Sequence, residues 1–153
     1  MRKLILYVVL VGFANVTIAQ KKIIDHTVYN DWKSIKNQVI SPDGNFVAYE
    51  VNPHRGDGYL IIFNKKNRTF DSIPRANSAK FSGESNYLAF KIHPGYDTLR
   101  TCELEKVDKK KWPKDSLGIY LLKSNSLVKK PNIKSFSVNK NSDWMYYLSN
   151  SNK

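Results

Sequence analysis

Cysteine occurs once in the 153 residues, as Cys102. A single thiol excludes an intrachain disulfide framework, and three histidines in separate segments with no second thiol leave no zinc constellation. The longest apolar run, Leu4 to Ala14, is about half the ~20 residues a membrane-spanning helix needs. No glycine-rich phosphate loop is present and no usable carboxylate pair stands out. We therefore assign no catalytic, cofactor-binding or metal-ligating residue and expect no cofactor. Aromatic residues are not scarce: 9 Tyr, 7 Phe and 3 Trp within a 41% hydrophobic composition are too much buriable surface for a disordered chain. The length suits about one domain.

Met1, Arg2 and Lys3 make a positive start, the apolar run follows, and Thr17-Ile18-Ala19 forms a small-residue site before Gln20. This is the layout of a secretory signal peptide, so residues 1–19 are expected to be removed by cleavage between Ala19 and Gln20. The run is too short for a permanent membrane anchor, and no cysteine directly follows it for lipid attachment. The expected product is exported, to the periplasm or beyond. Cleavage leaves 23 basic against 13 acidic residues, a net charge of +10. Such a field attracts polyanions, but the excess is Lys scattered along the chain. Its densest cluster, Lys109 to Lys111, has no aromatic interleaving and no nucleic-acid motif. The reading is a solvated Lys- and Asn-rich surface, with nucleic acid excluded as a partner.

Residues 20–38 are polar with interspersed apolar positions and read as a lead-in segment with room for one short helix. From residue 39 to 153 short apolar runs alternate with turn residues, and no amphipathic helix of ten or more residues stands out. The fold class is all-β. Ser41-Pro42-Asp43-Gly44-Asn45-Phe46-Val47-Ala48-Tyr49 aligns with Ser82-Gly83-Glu84-Ser85-Asn86-Tyr87-Leu88-Ala89-Phe90 at a constant offset of 41. A looser third copy runs from Ser135-Phe136-Ser137 to Trp144-Met145-Tyr146-Tyr147-Leu148, with a turn read as two residues longer. Each copy reads as a β-hairpin. Further strands follow, Tyr59 to Phe63 and Thr69 to Ile73, then Gly118 to Leu122 and Leu127-Val128. Two hairpins in roughly 40 residues are the content of one four-stranded propeller blade. A charged insertion at about 93–116, read as a loop, separates the second copy from the third. The expectation is a partial β-propeller of about two to three blades, the front of a longer protein or a truncated product, that folds poorly alone because propellers typically close with 4 to 8 blades.

Three motifs imitate chemistry. Gly83-Glu84-Ser85 begins a nucleophile elbow, but its last glycine is missing and the repeat puts Ser85 in a hairpin turn. Asn139, Asn141 and Asp143 imitate a calcium loop without its central glycine or closing Glu, and are also read as a turn. His26, His54 and His93 read as loop residues. Asn67-Arg68-Thr69 fits a glycosylation sequon, and Asp71-Ser72-Ile73, Asp97-Thr98-Leu99 and Asp115-Ser116-Leu117 are similar to a short bacterial O-glycosylation signal.

The stretch Asp25 to Ile35, followed by Ile40-Ser41-Pro42-Asp43-Gly44-Asn45-Phe46-Val47-Ala48-Tyr49 and Gly56-Asp57-Gly58, resembles the start of exported prolyl oligopeptidase family serine peptidases from Bacteroidetes. The resemblance implies an N-terminal propeller covering a C-terminal α/β-hydrolase domain and gating or admitting peptide substrates. No counterpart of the hydrolase domain is present, so no catalytic residue carries over. Serine peptidase activity is implied for the full-length protein and none is expected of this chain alone. The competing reading is a non-enzymatic exported propeller that binds an envelope or peptide partner.

Overall fold

The computed structural model describes residues 28–29 and 32–150. The expected leader, its cleavage site, His26 and most of the lead-in lie outside the described residues. β1 (Lys33–Ile40), β2 (Phe46–Pro53), β3 (Tyr59–Asn64) and β4 (Thr69–Pro74) form one antiparallel sheet in chain order. β5 (Ala76–Phe81), β6 (Tyr87–Ile92), β7 (Ser116–Leu121) and β8 (Ser126–Lys130) form a second. β9 (Ile133–Val138) and β10 (Met145–Ser149) make a two-stranded third. The strands expected from the repeat are present, and the partial propeller of two complete sheets and the opening of a third is confirmed.

The strand structure starts at Lys33, inside the stretch read as lead-in, because β1 carries no alternating pattern. Seven of its eight residues are exposed, and its register against β2 shifts between Lys36 and Val39 with Asn37 at φ 52°. The bulge inserts a residue and breaks the two-residue period on which strand recognition depends. β5 repeats the device, with its shift between Asn77 and Lys80 and Ser78 at φ 55°. The 41-residue correspondence therefore extends through both bulges.

The second sheet is packed on both faces, and β6 shows why its sequence is a near-continuous apolar run. Side chains on a strand alternate between faces. Leu88, Phe90 and Ile92 pack with Ala48, Leu60, Ile62 and Ile73 of the first sheet. Tyr87 and Ala89, with Leu117, pack with Ile133, Phe136, Val138 and Met145 of the third. Phe90 is fully buried and pairs across the ladder with Gly118, where an added Cβ would lie 2.2 Å from the Phe90 ring. The missing side chain makes room for the ring. The first sheet pairs Tyr49 with Ile61 instead.

The opposite face of the first sheet is apolar but uncovered among the described residues. Ile40, Val47, Phe63 and Phe70 form one cross-strand row, with Phe63 and Phe70 stacked at 4.6 Å. Ile40 is 67% exposed and Phe70 64%. The repeat places Val47, Tyr49 and Val51 where Leu88, Phe90 and Ile92 are buried, so this face corresponds to a blade-packing face, and among the described residues nothing packs on it. Expressed alone, residues 20–153 should melt broadly and associate in size-exclusion chromatography; a sharp cooperative transition of a monodisperse monomer would contradict this. Gly118→Ala should cost about 1–3 kcal/mol by overpacking against Phe90, read as a lowered urea midpoint.

Candidate functional site

An antiparallel meander puts its connections at two ends. At one end lie the β1–β2, β5–β6 and β9–β10 turns, and they are tied to one another. Ser41 accepts the Phe46 N–H at 2.9 Å through its hydroxyl, and Ser82 does the same for Asn86 and Tyr87 at 2.9 and 3.2 Å. The backbone bond from Ser41 N to Phe46 O recurs as Ser82 N to Tyr87 O and Asn139 N to Trp144 O. This corrects the third copy: Asn139, not Ser137, holds the turn-opening position, so its turn is no longer than the other two. Asn139 was missed because it is not a serine: its amide oxygen accepts from Asn141 N, two residues on, at 2.9 Å, a different bond from the one the serine hydroxyls make to the returning strand.

Ser85 takes the left-handed conformation, φ 57°, that Gly44 takes at φ 70° in the first copy, and its hydroxyl accepts the Asp43 N–H at 3.1 Å. It is a turn residue, as the repeat implied. Gly83 is needed for a different reason: a Cβ there would lie 2.5 Å from Ser142 N, where the third turn crosses. Asp143 spans that crossing, accepting from Glu84 N at 3.3 Å and from the Asn86 amide, while its carbonyl accepts from the Tyr87 hydroxyl at 2.9 Å. The calcium-like triplet is thus a turn whose Asp143 carboxylate joins two repeats.

These hydrogen bonds act on acidity. The Asn86 amide holds Asp143 below the ordinary carboxylate range. For Asp43, burial pushes the value up, but bonds from Ser41, Asn45 and Ser85 leave it lowered. A carboxyl group with a depressed folded-state pKa stabilises the fold above its unfolded value, near 3.8 for both residues, and that contribution disappears as pH falls through the folded value. The urea midpoint should therefore be insensitive to these groups between about pH 5 and 7 and decline below about pH 4. Asp143→Asn should flatten that decline and expose the Glu84 amide to faster hydrogen exchange.

The other end carries the β2–β3 loop, the single-residue link Arg75, the link before β9, and the insertion. The insertion is not loop throughout: it contains helix α1 (Tyr96–Leu104) and a 3-10 turn, Lys109–Lys111. Its root is closed by His93 Nδ1 and Asp115 Oδ1 at 2.6 Å, and Lys91 Nζ reaches Asp115 at 3.4 Å and the Lys134 carbonyl at 3.2 Å. Asp57 Oδ1 accepts the Tyr96 N–H at 2.9 Å, and Arg55 Nε donates to the Tyr96 hydroxyl at 2.6 Å. The indole of Trp112 donates to the Val107 carbonyl at 2.9 Å. The insertion is thereby held against the ends of both complete sheets. Cys102 is a half-buried free thiol on α1.

His54 lines a cavity of about 460 Å³ with Tyr29, Trp32 and Asn52, in which the Tyr29 and Trp32 rings lie 5.6 Å apart. Two further cavities, of about 190 and 330 Å³, open beside the insertion root and share Arg75 and His93. Of the three histidines, His54 and His93 thus reach this end of the sheets but do not come together at one cavity. Asn67, of the sequon, lies in the exposed β3–β4 turn. Asp71 accepts from the Tyr120 hydroxyl, whose pKa is pushed up by burial and then by that bond.

No protein-family profile matches the chain, and no curated protein matches it in sequence. Solved structures do match. The β-propeller domain of the trilobed protease from Pyrococcus furiosus, described as having an open velcro topology, is similar at a TM-score of 0.51 and 18% identity over 76% of this chain. Pyrococcus horikoshii acylaminoacyl peptidase is similar at 0.53 and 16% over 78%. The chain is a partial β-propeller. It spans 34% of the trilobed-protease propeller domain and 17% of the acylaminoacyl peptidase. An acylaminoacyl peptidase in complex with Z-Gly-Gly-Phe-chloromethyl ketone matches likewise, at 0.53 and 18%. These likenesses concern the propeller fold.

Proposed function

We propose that this chain is the front of the propeller of an exported, prolyl-oligopeptidase-like serine peptidase of Bacteroidetes type, gating or admitting peptides to a C-terminal α/β-hydrolase domain. The observation that carries the reading is the likeness to structures of peptidases and of a protease's propeller domain over about three-quarters of this chain and 17–34% of theirs. The uncovered face of the first sheet supports it, because that face is built to pack against another blade. In this reading catalysis belongs to residues outside the chain, and the insertion-bearing end is the surface that meets substrate. Its leader directs it out of the cytoplasm.

The test is the intact mass of the native exported protein, found with an antibody against residues 93–116. A mass several times 17.7 kDa, with hydrolysis of short peptides abolished by a serine-directed inhibitor, is the expected result. A mass slightly below 17.7 kDa, reflecting leader removal alone, would overturn the peptidase reading and favour a propeller that only binds its partner.

A further inference from the structure

β1, β5 and β9, the first strand of each sheet, end at a shared cavity of about 460 Å³ beside the clasped turns. The repeat builds it: Val39 and Ile40 of β1, Lys80 and Phe81 of β5, and Ser137 and Val138 of β9 fill the same two positions of each copy. Two residues on, Pro42 of the first copy and Lys140 of the third line it as well. Val39 and Phe81 border the core between the first and second sheets, and Val138 borders the core between the second and third. The cavity thus lies where the two packings reach the surface, and its wall is apolar apart from Lys80, Lys140 and Ser137.

The two cations are departures from the repeat. Where the second copy has Lys80 the first has Val39, and where the third has Lys140 the first has Pro42, so the fold requires a charge at neither position. Lys80 is steered by the Phe136 ring, whose centre lies 5.6 Å from its Nζ. Among the described residues no carboxylate lies within ion-pair distance of either lysine. The acidic residues of the adjoining turns, Asp43, Glu84 and Asp143, do not line the cavity. Both carboxylate oxygens of Asp43 and of Asp143 already accept hydrogen bonds within the turns. The positive charge of the wall is therefore uncancelled. A cavity of this size, mostly apolar with a few polar groups, is the usual form of a small-molecule site. An anionic head answers Lys80 and Lys140, and an apolar tail answers Val39, Phe81 and Val138. A peptide suits it less, because beyond the lysines only the Ser137 hydroxyl offers a side-chain partner for backbone amides.

We propose that this cavity binds an amphiphilic carboxylate, its head against Lys80 and Lys140 and its tail against Val39, Phe81 and Val138. The assignment stands apart from the peptidase reading, since every lining residue belongs to this chain. The test titrates the native exported protein by calorimetry with octanoate, with octanol, which lacks the charge, and with acetate, which lacks the tail. Octanoate should bind saturably, octanol about tenfold or more weaker through loss of the charge pairing, and acetate without saturation. Lys80→Gln combined with Lys140→Gln should weaken octanoate by a similar factor. Lys80→Arg combined with Lys140→Arg, which keeps both charges, should retain it. Two control variants separate this cavity from the general charge of the protein and from its other apolar surface. Lys129→Gln with Lys130→Gln on the exposed β8, and Phe70→Ser on the uncovered face of the first sheet, should leave octanoate binding unchanged. Octanoate bound no better than octanol or acetate, no effect of the double Gln variant at Lys80 and Lys140, an equal loss in either control, or no saturation by octanoate below about 10 mM would overturn the proposal.

Discussion

The structure depends on burial of both faces of a sheet. A four-stranded antiparallel sheet with apolar side chains on both faces gains stability only when each face meets another sheet. In this chain one sheet has that arrangement. Phe90, fully buried and seated against Gly118, lies near the centre of the packing between the first and second sheets. Ile133 and Phe136 close the second sheet from the other side. Among the described residues the first sheet keeps one face open, and the third is a hairpin whose Tyr146 and Leu148 remain exposed. A stability gradient follows, highest in the middle blade and falling toward both ends.

Polar contacts do different work at the two ends. The turn end is a chain of short-range replacements for backbone partners: serine hydroxyls, Asn139 and two carboxylates satisfy N–H groups that the turns expose. The same contacts couple repeat to repeat, through Ser85 in one case and Asp143 in the other. The insertion end is held by charged side chains from separate elements, Arg55 and Asp57 from the first sheet and Lys91, His93 and Asp115 from the second. One end is thus a structural clasp. The other presents cavities bordered by cations.

The repeat was legible because the turn chemistry recurs. In the first two copies a Ser at the strand end accepts the backbone N–H of the residue that begins the returning strand, and an Asn amide before that strand donates to a carboxylate. Where the turn keeps only its backbone bond and opens on another residue, as at Asn139, the spacing was misread. β1 was hidden because an exposed, bulged strand leaves no alternation. Helix α1 left little signal because none of its residues is buried, so no apolar stripe had to be written into it. The middle strand β6 was plain for the opposite reason, since burial on both faces demands apolar residues at nearly every position.

The sequence by itself determined the strand content, the 41-residue period, the hairpin turns and the place of the insertion, because these follow from backbone hydrogen bonding and side-chain alternation over a few residues. It placed Ser85 in a turn for the same local reason. Only the tertiary structure decided which residues meet at the insertion end. Arg75 and His93 are joined by the β5–β6 ladder, in which Ala76 pairs with Ile92 and His93 N donates to the Arg75 carbonyl. Asp57 and Gly58 of the first sheet reach them only through the docking of the two sheets, face to face, around Phe90.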